Sequence, residues 1–193
     1  MDDSLKNITL LIKKKEFSKA VEGLDSLSEE KKNDFNYYFL RGITFLYLSN
    51  FSTAIKNFSS AIDLKNDNPT FYFYRGYTFS RLNKFNSTKE DYKKAIFLKP
   101  DAAEFYNNLA GIYYTTGNNE NAIKNYLKAI ELDKNLKPAF TGLLNVLSQT
   151  SNIEQNNSKI IYAHNELNKI NLNYTSDNYI EDLEIKKILE QTN

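Results

Sequence analysis

The chain has 193 residues, with 25 Lys and Arg against 24 Asp and Glu, a formal net charge of +1 at pH 7, no Cys and one His. A charge this close to neutral predicts no general attraction to nucleic acid or to an anionic membrane, and the lack of Cys excludes disulfides, thiolate nucleophiles and zinc–thiolate sites. Six Gly and three Pro are too few for the turns of an all-β fold, so the composition, with 14 Tyr and 13 Phe, predicts an all-α, aromatic-rich chain.

The N-terminal sequence does not read as a secretion signal. It begins with acidic residues, and its short apolar stretch, residues 8–12, is followed directly by Lys13, Lys14 and Lys15. A signal peptide has its positive charge first and a longer apolar run after it, and no stretch approaches the roughly 18 apolar residues of a membrane span. The sequence therefore predicts a cytoplasmic protein. One interpretation of the three lysines is an anion-binding patch; the interpretation that we favour is the solvated end of a helix whose dipole they complement.

A period of about 34 residues runs through most of the chain. The columns at this offset include Tyr38, Tyr72, Tyr106 and Phe140; Arg41, Arg75, Leu109 and Leu143; Gly42, Gly76 and Ala110; Leu24, Phe58, Tyr92 and Tyr126; and Ala61, Ala95 and Ala129. Chance does not hold so many columns in one register, so the pattern predicts an array of repeats. The predicted repeats are residues 1–34, 35–68, 69–102, 103–136 and 137–170, with degenerate first and last members, as expected of capping repeats.

Each repeat contains two helical patterns separated by a short polar turn. In the second repeat, Tyr38, Gly42 and Phe45 recur at spacings of four and three, and Ala54 and Phe58 begin a similar face in the next helix. Such a unit cannot bury its apolar face alone, so neighbouring repeats must stack. The small residues are expected where helices cross closely, with the aromatic side chains filling the space on either side.

These columns resemble the tetratricopeptide repeat family, whose pattern is a bulky aromatic residue, Leu-Gly, Tyr, Ala, Phe, Ala and Pro. The fourth repeat is the most similar to it, with Tyr106, Leu109, Ala110, Tyr113, Ala122, Tyr126 and Ala129. The resemblance covers about 170 of the 193 residues. It implies an all-α, right-handed α-solenoid of helix–turn–helix repeats, whose concave groove is lined by the first helix of each repeat and holds a peptide or partner segment.

The resemblance also implies which side chains face this groove. The predicted partner-binding residues are Phe39, Ile43, Tyr47, Phe73, Tyr74, Tyr77, Arg81, Asn107, Asn108 and Tyr114. Aromatic side chains with a polar tip are favoured at interfaces, and the two Asn can donate to and accept from a peptide backbone. The alternative interpretation is that the same residues pack against an adjacent helix or the C-terminal tail.

Two binding modes of the family are not matched by this sequence. Members that grip extended peptides carry a ladder of Asn in successive repeats, whereas the positions equivalent to Asn108 are Leu40, Tyr74 and Gly142. Members that bind the C-terminal carboxylate of chaperones carry a Lys/Asn/Arg clamp. Here its first positions hold Leu5 and Thr9, or Phe39 and Ile43, and Glu104 or Pro138 stands where Lys is required. The sequence therefore predicts no binding of chaperone tails.

Residues 171–193 are predicted to form a loop and a C-terminal amphipathic capping helix, with Ser176 or Asp177 as its N-cap. A second interpretation is that this tail folds into the groove and masks Tyr77 and Tyr114. A third is that it leads to a catalytic domain that is not in this chain.

The sequence predicts a non-catalytic scaffold or adaptor that binds a protein or peptide, with no cofactor and no metal. No Gly-rich phosphate loop or nucleophile elbow occurs, and the single His164 excludes a metal site that needs two imidazoles. The alternative is the N-terminal arm of a larger bacterial enzyme of sulfotransferase, glycosyltransferase or oxygenase type. Self-association through the end repeats is a further hypothesis.

Overall fold

The computed structural model describes residues 3–149 and residue 158. Within residues 3–149 the chain forms ten α-helices and no β-strand, so the predicted all-α class is confirmed. The helices are α1 (Asp3–Lys13), α2 (Phe17–Asp25), α3 (Glu29–Lys32), α4 (Phe35–Tyr47), α5 (Phe51–Leu64), α6 (Pro69–Arg81), α7 (Phe85–Leu98), α8 (Ala103–Thr115), α9 (Asn119–Leu132) and α10 (Lys137–Ser148). The predictions for residues 171–193, for His164 and for the second helix of the fifth repeat lie outside the described residues.

A left-handed residue closes the first helix of four successive repeats. Lys15, Ser49, Asn83 and Gly117 have φ angles of 61°, 58°, 56° and 74°. The next amide donates to a carbonyl five residues back, for example Asn118 N to Tyr113 O at 2.8 Å, which is the Schellman form of helix termination. The period of the sequence is therefore also a period of the backbone over these four turns.

Polar side chains then begin the following helices. Asn50 Oδ1 accepts a hydrogen bond from the Thr53 amide at 3.2 Å, and Asn118 does the same for the Asn121 amide at 3.2 Å. These contacts satisfy amides that have no partner within the first turn of a helix. The short polar turns predicted within the second and fourth repeats therefore act as caps.

The chain divides into two compact units, residues 1–100 and residues 101–193, which we call the N-terminal and C-terminal units. In the N-terminal unit, a Cβ atom on Gly42 would lie 2.6 Å from Phe58 Cε1, and one on Gly76 would lie 3.0 Å from the Tyr92 ring. Both rings are almost completely buried. The prediction that these glycines mark close crossings between the two helices of a repeat is confirmed.

A bidentate ion pair also joins the helices of the third repeat. Arg75 Nε and Nη2 donate to the two carboxylate oxygens of Asp91 at 2.8 Å each, and Nη1 donates to Ser59 Oγ at 3.1 Å. Asp91 is 5% exposed. Burial raises the pKa of the Asp91 carboxyl even though the Arg75 guanidinium acts in the opposite direction. The pair fixes α6 against α7 and, through Ser59, against α5.

The described part of the C-terminal unit consists of α8, α9 and α10. Its buried cluster includes Ala110, Tyr126, Phe140 and Leu143. The ring tip of Tyr126 lies against α10, where a Cβ atom on Gly142 would be only 2.3 Å from Tyr126 Cζ. The aromatic side chain of this repeat is thus accommodated by a glycine of the following helix.

Candidate binding cleft

A cleft of about 470 Å³ opens in the N-terminal unit. It is lined by Thr9, Ile12, Lys13, Lys15, Phe17, Phe39, Leu40, Ile43, Tyr47 and Tyr74. These residues come from α1, the α1–α2 turn, α2, α4 and α6. The structure therefore brings together four of the predicted groove residues, Phe39, Ile43, Tyr47 and Tyr74.

The inner wall of the cleft is a cluster of aromatic rings. The centroid of Phe39 lies 5.0 Å from that of Phe71, 5.6 Å from Tyr74 and 6.0 Å from Phe58. Phe58 and Phe71 are at most 2% exposed. Because Phe39 and Tyr74 rest on buried rings, their cleft-facing surfaces are held in place before any ligand arrives.

The outer edge of the cleft carries an exposed but oriented ring. Tyr47 is 59% exposed, yet it stacks on Phe17 with a centroid distance of 5.0 Å and an interplanar angle of 11°. One repeat later, Arg81 lies over the ring of Phe51 at 5.3 Å. The same pair of repeat positions thus holds a ring stack in one case and a cation–π contact in the other.

Two lysines give the cleft a positive charge. Lys13 ends α1, and Lys15 occupies the left-handed position of the turn that follows. Neither ammonium group forms an ion pair with a described residue. Both lie at a helix end as interpreted from the sequence, and in addition they line the cleft.

The remaining predicted residues of α6 lie outside this lining. Phe73 is 8% exposed and stacks on Tyr92 at 5.5 Å, so it packs between α6 and α7. Tyr77 is partly buried against the cluster that contains Ile43 and Phe58. Phe73 therefore contributes mainly to the packing of its own repeat.

Three predicted residues belong to α8 in the C-terminal unit. Asn108 Nδ2 donates to the Glu104 carbonyl at 2.8 Å, within its own helix. Among the described residues, Asn107 Oδ1 is a buried side-chain oxygen without a hydrogen-bond partner. Tyr114 packs against the cluster around Tyr126, and burial is the main cause that raises the pKa of the Tyr126 hydroxyl to about 12.

Six cleft residues are absent from the predicted set: Thr9, Ile12, Lys13, Lys15, Phe17 and Leu40. Thr9 and Lys13 stand one full repeat before Ile43 and Tyr47. The repeat register could have identified these two positions, but the degenerate first repeat gave little reason to extend the groove into it. Phe17 belongs to a second helix, so its stacking on Tyr47 had no signal in the first-helix pattern.

No described helix combines the length and the apolarity needed to cross a membrane. Across the described residues, His, Cys, Asp and Glu do not form a group of three or more that could hold a metal ion.

Comparison with known proteins identifies one of the repeats. A family profile described as tetratricopeptide repeat matches residues 103–136, the fourth predicted repeat. The fourth repeat is therefore a tetratricopeptide repeat. A search of curated protein sequences found no match to this chain.

Solved structures support the same fold. The crystal structure of MamA protein superposes with a TM-score of 0.76 at 16% identity, covering 95% of this chain and 99% of the other. The pilF protein of Pseudomonas aeruginosa gives 0.82 at 11% identity, covering 98% and 84%. The first tetratricopeptide repeat domain of Spaghetti, bound to an HSP90 peptide, gives 0.57 at 21% identity, covering 58% and 90%. At such identities the likeness shows the fold alone, an α-solenoid of tetratricopeptide repeats.

Proposed function

We propose that the chain is a non-catalytic interaction scaffold that binds a segment of a partner protein along its first helices. The cleft of the N-terminal unit is the observation that carries this proposal. Its volume of about 470 Å³ falls within the roughly 300–1,000 Å³ that is typical of ligand pockets. Its walls are aromatic and aliphatic, which is the composition of an anchor pocket at a protein interface.

The exposure of Tyr47 supports a binding role. A large ring that is 59% exposed contributes less to folding than a buried one, because less of its apolar surface is removed from water. Its stack on Phe17 at 5.0 Å fixes its orientation, so little side-chain entropy remains to be lost on binding. A related precedent is the Spaghetti domain, whose solved structure contains an HSP90 peptide.

The chemistry of the cleft also favours binding over catalysis. Its ten lining residues include no carboxylate, imidazole or thiol, and one hydroxyl from Thr9 besides the two Tyr. A nucleophile needs an adjacent general base within hydrogen-bond reach, and the lining supplies no such pair at neutral pH. A protein or peptide partner is therefore the ligand class that we assign to it.

We propose further partner contacts on the first helices of the third and fourth repeats. These are Tyr77 and Arg81 on α6, and Asn107, Asn108 and Tyr114 on α8. The expectation rests on their position on the groove face of the family pattern. Single substitutions to Ala, measured against the ligand found below, test each of them.

A library of short random peptides, selected on the immobilised full chain, tests the proposal. Enriched peptides should bind Tyr47→Ala several-fold to roughly tenfold more weakly than wild type, since Tyr is enriched among the interface residues whose truncation costs more than about 1 kcal/mol. Phe97→Ala is the matched control, because Phe97 is 76% exposed and does not line the cleft. Equal enrichment on wild type and on Tyr47→Ala, with unchanged circular dichroism, would refute the proposal.

A further inference from the structure

The charge of the cleft indicates more about the ligand than the shape of the cleft does. Lys13 and Lys15 line it, and neither has a carboxylate partner among the described residues. The nearest acid in sequence, Glu16, is already engaged by Lys19 at 2.6 Å. Two positive charges thus adjoin an apolar surface with no internal counter-charge.

Of the four helices that line the cleft, α1 and α2 contain acids, but none of these acids lies in the lining. Neither α4 nor α6 contains Asp or Glu, although α4 contains Arg41 and α6 contains Arg75 and Arg81. Arg41 and Arg75 are paired with Asp25 and Asp91. On α4 and α6, the remaining charge, that of Arg81, has no carboxylate partner among the described residues.

A third cation extends the pattern along the same edge. Lys13, Tyr47 and Arg81 occupy one position in three consecutive repeats, since each is separated from the next by one full period. Arg81 is exposed, lies over Phe51 at 5.3 Å and forms no ion pair with a described residue. The exposed ring of Tyr47 is thus preceded and followed by a cation at the equivalent repeat position.

We propose that the cleft binds an internal, acidic segment of a partner protein, in which Asp or Glu side chains flank large apolar residues. The apolar side chains would pack on Phe39 and Tyr74, and the carboxylates would meet Lys13 and Lys15. This inference rests on the proposed function and names its partner chemistry. Side-chain carboxylates are preferred to a chain terminus because Arg81 stands two full repeats after Lys13, so that a single terminal carboxylate does not match all three cations.

Backbone geometry supports the assignment of the two lysines. The Lys15 amide donates to the Ile12 carbonyl at 2.9 Å, and the Glu16 amide donates to the Leu11 carbonyl at 2.9 Å. This turn holds the Cα atoms of Lys13 and Lys15 at a fixed separation. Their flexible side chains can then adjust to carboxylates at more than one spacing, because Lys acts as a point charge on a long stem.

Two matched pools of fluorescent peptides test the proposal. Each pool has fixed apolar residues at the centre, and the flanking positions contain Asp and Glu in one pool but Asn and Gln in the other. All peptides are N-acetylated and C-amidated, so that no terminal carboxylate contributes. On the full chain, we expect the acidic pool to bind roughly three- to tenfold more tightly at low salt, with a preference that shrinks as salt is raised.

The variants separate the charge from the cleft itself. The double substitution Lys13→Gln/Lys15→Gln should weaken binding of the acidic pool more than binding of the amide pool and so remove the preference. The control Lys93→Gln/Lys99→Gln makes the same change in net charge at exposed residues that do not line the cleft, and it should keep most of the preference.

Each failure has a distinct meaning. If both pools bind equally well and Tyr47→Ala loses this binding, the proposal of an acidic partner is wrong, whereas the scaffold function is retained. An acidic preference that persists in Lys13→Gln/Lys15→Gln would likewise overturn the acidic partner alone. Absence of binding by either pool, or binding that Tyr47→Ala does not weaken, would overturn both the acidic partner and the assignment of the cleft.

Discussion

The two units place different residue types at the same position of the repeat, a charged Arg in one and an apolar Leu in the other. In the N-terminal unit, Arg75 forms a buried bidentate pair with Asp91 at 2.8 Å. In the C-terminal unit, the residues one and two repeats later are Leu109 and Leu143, which are 4% and 0% exposed. A buried ion pair must overcome the desolvation of both charges, whereas a buried Leu does not. The repeat backbone therefore accommodates either a charged residue with its carboxylate partner or a buried Leu at this position.

The aromatic column differs between the units as well. Phe58 packs on Gly42 of its own repeat, but Tyr126 belongs to a repeat that has Ala110 at that position, and it lies against Gly142 of the following helix. A missing glycine in one repeat is matched by a glycine in the next one. The space for an aromatic ring thus depends on the small residues of two neighbouring repeats, and not on those of one repeat alone.

The largest expected effect tests the ion pair. Asp91→Ala leaves the partly buried Arg75 guanidinium without its carboxylate and should cost up to about 3 kcal/mol of unfolding free energy. Urea denaturation followed by circular dichroism measures it. The double substitution Arg75→Leu/Asp91→Asn copies the fourth repeat, which has Leu109 and Asn125 at these positions, and should be much less destabilising than Asp91→Ala. A double variant as unstable as Asp91→Ala would show that the two pairs of residues are not interchangeable.

The glycines of the C-terminal unit give the next effect. Gly142→Ala places a Cβ 2.3 Å from Tyr126 Cζ and should cost about 1–3 kcal/mol through overpacking. Gly111→Ala is the matched control, because its Cβ would lie 3.7 Å from the Tyr126 hydroxyl. That change should stabilise by about 0.5–1 kcal/mol, since Gly is unfavourable inside a helix. Thermal unfolding measures the change in stability of each variant. Changes of the same sign in the two variants would contradict this account.

Alkaline pH should affect the C-terminal unit through one hydroxyl. The pKa of Tyr126 is raised from 10.0 to about 12, so the folded state retains its proton while the unfolded state loses it. The contribution of this hydroxyl to stability is fully present below pH 10 and is lost as pH rises towards 12. The loss of unfolding free energy reaches about 1.4 kcal/mol near pH 11. Tyr126→Phe should show a shallower loss of stability over this range. Identical pH profiles for wild type and variant would contradict the shift.

The smallest expected effect concerns the left-handed turns. Ser49 and Gly117 occupy equivalent positions with φ of 58° and 74°, but only the residue in the C-terminal unit is a glycine. Ser49→Gly should stabilise by up to about 1 kcal/mol and Gly117→Ser should destabilise by a similar amount, because a Cβ is disfavoured there. Chemical denaturation with matched protein concentrations resolves the difference. If both substitutions changed the unfolding free energy in the same direction, the two turns would not be equivalent.

Much of the fold could be predicted because a repeat displays its packing in every copy. The column of Gly42 and Gly76 predicted close helix crossings, and the contacts with Phe58 and Tyr92 confirm them. The contact of Tyr126 could not be predicted in the same way, since it depends on the departure of its repeat from the pattern. Where a column is broken, the neighbours decide which helix accepts the side chain.

The candidate site was predicted only in part. The groove pattern identified Phe39, Ile43, Tyr47 and Tyr74, and the structure places all four on one cleft. The same pattern selected Phe73, which is 8% exposed against Tyr92. Position in a repeat indicates the face of a helix, but exposure depends on the side chains that the facing helix presents.

The sequence by itself determined the period, the helix–turn–helix unit and the small-against-large columns, because these follow from local spacing that recurs from one repeat to the next. Only the tertiary structure decided that Lys13, Lys15 and Phe17 share a cleft with Tyr47. That juxtaposition joins side chains from different repeats, and no local pattern encodes which of them remain exposed once neighbouring helices have packed. The cleft and its charge are therefore properties of the stacked array rather than of any single repeat.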